Sequence, residues 1–386
     1  MQSLRIAMLA PFGITPKGTL LARMLPLANA LAQAGHSVHI IAPPIHNPQD
    51  AGTTVVHGLV PVTHTLTPTW PNVAGVAQQS LALWRGAMAT TPQLIHLFKP
   101  KGQAGLAAHY GRIVAPHIPL VVDCDDREGR GGWNDQLAYP ASAKALFDWQ
   151  EGRLPQIAQS VTVASRTLEG LVWAQGVASA RVFYLPNAAD LGQTPAPAVR
   201  TPARLLLYTR FWEFRLGDLI TTMRHIISAR PDIQLTVIGS GEQGEERQLH
   251  ALAQSAGIDG HLDIRGWMQP RDIPAVLAQA GVALVPVDDT LINRARCSAK
   301  LLELLAAGLP VVGNDVGEMC TFVQSGSNGI LTPPRQPQSL AEAVLALMAD
   351  QQRWQAMQQA AYHSALQHTW QSRVSAAEAA YTVALQ

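Results

Sequence analysis

Three cations crowd the approach to one helix. Arg294, Arg296 and Lys300 stand just before and inside the first turn of a segment that Ser298 opens and that continues as KLLELLAAGLPVVGND. A helix N-terminus already carries partial positive charge, so cations there are disfavoured unless an anion sits among them. Two more arginines, Arg210 and Arg215, follow the apolar run RLLLY and bracket the start of the next helix. Guanidinium groups at a strand's carboxyl end and an ammonium at a helix N-terminus would converge on a diphosphate, which offers an oxygen to each. Glu303 lies three residues beyond Lys300 and shares its helix face, whereas Leu301, Leu302 and Leu305 face the core. A carboxylate one turn from a phosphate-binding Lys is placed to accept hydrogen bonds from a ribose diol. The structural alternatives are pairing of Arg210 or Arg215 with Glu213, and an i, i+3 ion pair of Lys300 with Glu303.

Two patterns invite other chemistry. GSGEQG, residues 239–244, has the letters of the dinucleotide fingerprint after the strand IQLTVIG. It falls on the second strand of its half of the chain rather than the first, and Glu242, Glu245 and Glu246 would repel a pyrophosphate. A tight strand-to-helix turn, with Gly241 bordering a ligand, is the expectation. DCDDREGRGGWND, residues 123–135, sets Asp123 and Asp125 at D-x-D spacing, which in one class of sugar transferases holds a divalent metal. That class has a single nucleotide-binding domain and this chain reads as two, so no metal is expected. The glycines suggest a mobile loop from which Asp125, Asp126 and Trp133 reach an acceptor's hydroxyls and ring. A solvated acidic loop with Arg127 and Arg130 as internal partners is the alternative.

APFGITPKGT, after the first strand, makes Gly13 and Lys17 part of a loop whose backbone can approach a ligand, without P-loop spacing. Among the histidines, His96 and His109 are the two placed to touch substrate. No Ser-His-Asp or Cys-His arrangement follows from spacing.

The elements that must position these residues follow from length and patterning. A chain of 386 residues suits two domains. With 47% apolar and 14% charged residues and a net charge of +1, it reads as a soluble globular protein with no basic field for nucleic acid. Cys124, Cys297 and Cys320 form neither a disulfide framework nor a metal-ligand pattern, which fits a reducing cytoplasm. The apolar run before Pro11 is too short for a secretion signal, and no stretch of about 20 apolar residues occurs. Arg5, Lys17, Arg23, Lys99 and Lys101 make the first domain slightly basic, leaving peripheral contact at the inner membrane face open.

Apolar runs without polar alternation, LRIAMLA, HSVHIIAPP, TTVVHGLV, LIHLF and PLVVDC, alternate with helical segments at about 20–34 and 73–89. Strands buried on both faces, βαβ throughout, are implied. Pro and small residues near 185–204 mark a linker, after which the alternation restarts with RLLLYTR, IQLTVIG, HLDIRG, GVALVPV and PVVGND. The expected fold is α/β, with two doubly wound parallel sheets facing across a cleft and a helical C-terminal tail breaking near Thr369. The boundaries are 1–190 for an acceptor-side domain, 191–203 for the linker, 204–368 for a donor-side domain and 369–386 for a last helix that could cross back.

RFWEFR, GSG, GVALVPV and KLLELLAAGLPVVGNDVGE together resemble the retaining glycosyltransferases of family four, which have the GT-B fold with two Rossmann-like domains. The resemblance is strongest over 204–334 and extends to GHSVHIIAPP and YLPNA in the first half. It implies that Arg210 and Arg215, the latter in place of the family's Lys, bind the donor diphosphate with Lys300, and that Glu303 binds the ribose. Gly241, Glu318 and Gly13 join the donor site. The implied reaction moves a hexose from a UDP-, GDP- or ADP-sugar to a glycan, lipid-linked or small-molecule acceptor in glycan biosynthesis, with no cofactor or metal. Two departures stand out. Ala295 occupies the place of a Glu that contacts the donor sugar, with Asp288 and Asp289 as the nearest carboxylates before it, and DCDD replaces the family's His-Asp element. A sugar-nucleotide epimerase and a non-catalytic sugar-nucleotide-binding protein are the alternatives, ahead of an oxidoreductase using GSGEQG.

Overall fold

The computed structural model describes residues 2–15, 18–191 and 200–386, so Lys17 and most of the expected linker lie outside the described residues. The chain divides into two compact units, one of Met1–Asn187, Ala295–Cys297 and Trp370–Gln386, the other of Ala188–Arg294 and Ser298–Thr369.

The first unit is built on an eight-stranded sheet: β1 (Arg5–Leu9), β2 (Ser37–Ala42), β3 (Thr54–His57), β4 (Val60–His64), β5 (Leu94–Phe98), β6 (Leu120–Cys124), β7 (Ser160–Val163) and β8 (Val182–Tyr184). Their order is β3-β4-β2-β1-β5-β6-β7-β8. Every residue of β5, β6 and β7 is buried, as strands covered on both faces require. One expectation fails. TTVVHGLV is not a strand in a βαβ series, because β3 pairs antiparallel with β4 as an edge hairpin. Apolar periodicity identifies strands but not their direction; the missed signal is Gly58, whose φ of 67° opens a two-residue turn. Asn29 braces that turn, accepting from the Leu59 amide at 2.8 Å.

The helix expected at 20–34 begins with a widened π turn, Leu20–Met24, before Leu25–Gln33. That turn carries Arg23, which is only 1% exposed. The last helix, Trp370–Ala384, completes the first unit's core. The Tyr381 hydroxyl meets His96 Nδ1 at 3.0 Å, Ser160 Oγ donates to Ala380 O at 2.8 Å, and Glu378 pairs with His36.

The second unit has six parallel strands, β9 (Arg204–Tyr208), β10 (Gln234–Ile238), β11 (Leu262–Gly266), β12 (Val282–Val285), β13 (Val311–Asn314) and β14 (Gly329–Thr332), in the order β11-β10-β9-β12-β13-β14. Leu205, Leu207, Val282, Leu284 and Val312 form its core with the helices Leu216–Ala229 and Pro337–Ala349. The helical tail also breaks at Asp350, whose carboxylate caps Gln351–Gln367 by accepting from the Arg353 amide at 2.9 Å.

Candidate functional site

The second unit gathers most of the residues expected to bind the donor around the carboxyl end of β9, where parallel α/β sheets present ligand sites. The turn after β9 is held by Glu213, which is buried and accepts from Thr209 Oγ1 at 2.8 Å and from the Arg210 amide at 3.2 Å. Phe211 is buried in the left-handed region, with φ of 68°, a strained conformation for a bulky residue and one that concentrates at functional sites. Glu213 therefore organises the backbone of this turn. Arg210 reaches Glu242 at 3.1 Å, and Arg215, at the head of Leu216–Ala229, meets Asp288 at 3.5 Å. Both guanidinium groups are more than half exposed, so these contacts hold them weakly and leave them available to a stronger anion.

Lys300 lies in the first turn of Ala299–Ala306, capped by Ser298, which accepts from the Leu301 amide at 3.4 Å. Its ammonium sits 5.0 Å from the ring centre of Tyr208, the last residue of β9. Glu303 is close enough to Tyr208 that, after burial itself, its charge pushes the phenol above its ordinary range. Lys300 and Glu303 are thereby placed beside the strand end that carries Arg210 two residues on. Arg294 has its own anion: its guanidinium pairs with Asp289, so that carboxylate is spoken for. Ala295, where the family's Glu would stand, is fully buried.

The loop after β10 argues against a dinucleotide. Gly239, with φ of 115°, packs against the Thr209 carbonyl. The Gly241 amide donates to Glu246 at 3.1 Å and the Gln243 amide to Glu245 at 2.8 Å. The loop's own carboxylates thus occupy amides that a pyrophosphate would need. Glu318 is buried in the turn after β13, where Gly317, with φ of 55°, lies against the backbone of Arg294.

In the first unit the predicted residues separate. Gly13 packs against Asn47 and the Ile45 carbonyl, so a side chain there has no room. His96 has no exposed surface; it hydrogen-bonds Tyr381 and Thr162, and burial pushes it down to about 4, so it is a neutral core residue and not a substrate contact. His109 lies on the helix Gly102–Val114 and stacks on Trp149 at 4.4 Å. The D-x-D pair does not present two open carboxylates. Asp123 is buried and takes Arg23 Nε at 2.7 Å on one oxygen and Nη2 at 2.6 Å on the other, with Thr162 Oγ1 also at 2.6 Å.

The loop after β6 is pinned rather than mobile. Glu128 lies between Lys99 at 2.8 Å and Lys101 at 2.6 Å, and Glu151 accepts from the amides of Glu128 and Gly129 while pairing with Arg127. Lys99 is held in the left-handed region, with φ of 55°. Trp133 is half-buried on the short helix Trp133–Gln136 that follows this loop. Three of the cations that made the first domain look basic, Arg23, Lys99 and Lys101, are buried in ion pairs and offer nothing to a membrane surface. Sequence reasoning missed this cluster, although the rarity of Lys and the KPK run after a strand were visible signs of it.

Asp125 and Asp126 join the same network. Lys99 Nζ lies 2.9 Å from Asp126 and 3.6 Å from Asp125, and Thr19 Oγ1 donates to the other Asp125 oxygen at 3.0 Å. Asp125 is pushed up to about 7 by burial, reinforced by Asp126 and Asp123 and only partly opposed by Lys99. Glu128, with both lysines in direct contact, goes the other way despite its burial. A carboxyl group whose folded value is raised costs stability as pH rises from its unfolded value, about 3.9, through its folded one. Asp125→Asn is therefore expected to gain stability over the parent by on the order of 2 kcal/mol at pH 8 and much less at pH 5. Melting curves from pH 5 to 8 read this directly, and a difference that stays flat across the range would contradict it.

Comparison with known proteins agrees with this architecture. Residues 203–350 match the family described as "Glycosyl transferases group 1", and residues 18–188 match "Glycosyl transferase 4-like domain". A phosphatidyl-myo-inositol mannosyltransferase of Mycolicibacterium smegmatis is 22% identical over 361 residues, covering 90% of this chain and 86% of that protein. An exopolysaccharide phosphotransferase of Streptomyces coelicolor is 27% identical over 200 residues, 52% of this chain but only 20% of that protein. Among solved structures, a sucrose-phosphate synthase from Thermosynechococcus elongatus superposes with a TM-score of 0.77 at 19% identity, covering 98% of each chain. HepE of Anabaena, in complex with UDP and glucose, gives 0.70 at 16% identity over 98% of this chain and 99% of its own. With both halves of the chain matched and both sheets of the expected kind, this protein belongs to family four of the glycosyltransferases and has the GT-B fold.

Proposed function

We propose that this glycosyltransferase is a retaining, metal-independent hexosyltransferase whose donor is a nucleoside-diphosphate sugar held by the second unit. The observation that carries the reading is the Lys300 ammonium 5.0 Å from the ring of Tyr208, at the strand end that leads into Arg210, with the charge of Glu303 felt by the same phenol. Arg210, Arg215 and Lys300 would neutralise charge growing on the departing diphosphate, which is stabilisation specific to the transition state. Glu303 would take the ribose diol, with Gly241 and Glu318 as further donor contacts in the second unit. The departing phosphate oxygen would accept the acceptor hydroxyl's proton on the face where the new bond forms, which keeps the anomeric configuration and needs no separate base. Exclusion of water would protect the donor from hydrolysis. HepE, solved with UDP and glucose, supports a nucleotide-sugar donor, with UDP, GDP and ADP conjugates all to be tried. The acceptor is a sugar, a lipid-linked glycan or a small hydroxylated molecule, with Asp125, Asp126, Trp133, Lys17 and His109 of the first unit as its candidate binding residues.

A panel of UDP, GDP, ADP and NAD, with their sugar conjugates, tests this by thermal shift. One nucleoside diphosphate is expected to raise the melting temperature, and Arg210→Ala and Glu303→Ala are each expected to remove the shift. A response to NAD alone, or one indifferent to both substitutions, would sink the reading. Ala295 favours a second reading, a non-catalytic sugar-nucleotide binder, because it stands where the family's Glu would contact the donor sugar and the nearby Asp289 pairs with Arg294. Donor binding without turnover, assayed with and without a chelator and a sugar acceptor, would select it.

A further inference from the structure

Tyr208 ends the central strand β9, and the sequence gives no hint of a role for it. Its half-buried ring lies 5.0 Å from the Lys300 ammonium, within the range at which the negative face of an aromatic ring attracts a cation. The four-carbon stem of a lysine is flexible, and an ammonium in the first turn of a helix is repelled by the helix dipole. Without an opposing attraction this side chain would favour turning outward into water. The ring supplies one, and because Tyr208 is fixed by the strand it also fixes where the ammonium waits.

We infer that Tyr208 is a positioning residue of the donor site, its ring face holding the Lys300 ammonium where the donor diphosphate is to arrive. The inference rests on the donor reading of Lys300 given above. A preorganised cation loses less freedom on binding an anion than one recruited from solvent, so the ring's effect should appear in nucleotide affinity and in transfer rate. The hydroxyl group is not required for it. Tyr208→Phe keeps the ring face, whereas Tyr208→Leu and Tyr208→Met remove it and keep an apolar side chain in its place.

The test is titration calorimetry with the nucleoside diphosphate that wild type binds, run on these three variants, on Lys300→Ala and on the Lys300→Ala, Tyr208→Leu double variant, with melting curves for each. The Phe variant is expected to stay within about twofold of wild type, and Leu and Met to weaken binding on the order of tenfold. On the Lys300→Ala background the Leu substitution should cost nothing further, an outcome that a purely structural role would not produce. If Lys300→Ala weakens binding while Leu and Met, with parental melting temperatures, do not, the positioning role is overturned and the donor reading survives. A Leu penalty undiminished without Lys300 would overturn it equally. If wild type binds no nucleoside diphosphate, or Lys300→Ala is without effect, the donor reading itself falls and the inference falls with it.

Discussion

Lys300→Ala is expected to lower kcat/KM for the sugar nucleotide by about a hundred- to a thousandfold, the usual cost of removing one preorganised charge from a developing anion. The same substitution should leave stability nearly untouched. It removes a cation from the first turn of Ala299–Ala306, where the helix dipole disfavours it, and replaces it with the best helix former. Against that stands the loss of the contact with the Tyr208 ring, worth about 0.5–2 kcal/mol. These terms nearly cancel, so activity and melting temperature should part company. Steady-state kinetics beside a melting curve decide the point: a variant that melts like the parent and still turns over like it would remove Lys300 from the chemistry. A variant whose lost activity tracks lost folding would do the same.

The largest effect on stability is expected at Asp123. Its carboxylate and the Arg23 guanidinium are buried together, and Arg23 also donates to Asn187 Oδ1 at 2.9 Å and to the Leu185 carbonyl at 2.8 Å. Burial, the largest single influence, would lower the guanidinium's affinity for its proton, but the charge of Asp123, its hydrogen bonds to Arg23 and the charge of Asp125 together outweigh it and raise that affinity. Asp123→Ala leaves Arg23 without its carboxylate in a place water does not reach, at a cost of about 3–5 kcal/mol. For a unit of this size that is a fall on the order of 10 °C in the transition that reports the first unit. Replacing both partners by apolar residues, Arg23→Met with Asp123→Leu, should recover much of the loss, since what destabilises is the lone buried charge. A single variant that melts within about 2 °C of the parent would show that water or rearrangement relieves Arg23. Catalysis is not the reading for Asp123, and a folded Asp123→Ala protein should still bind nucleotide in the second unit.

The sequence by itself determined the fold class and where along the chain the residues proposed to bind the donor fall. Those are local matters: short buried runs such as LIHLF and LVVDC, alternating with helical segments, fit strands covered on both faces, and Ser298 with its following leucines sets one helix face. GSGEQG was also legible as a misleading pattern, because the carboxylates that disqualify it lie within a few residues of its glycines and fold back onto their amides.

What tertiary structure decided was which charges meet. His96 and Lys99 sit three residues apart, yet one is a neutral core residue and the other anchors a carboxylate cluster, because β5 buries the first and a left-handed turn at its end directs the second toward the loop after β6. The direction of the β3–β4 pair, the commitment of Asp123 to Arg23 a hundred residues away, and the closeness of Tyr208 to Lys300 are of the same kind. Periodicity fixes which face of an element is apolar. It carries no information about the partner across the sheet or the helix, and that partner determines whether a charge is a site, a strut or a surface.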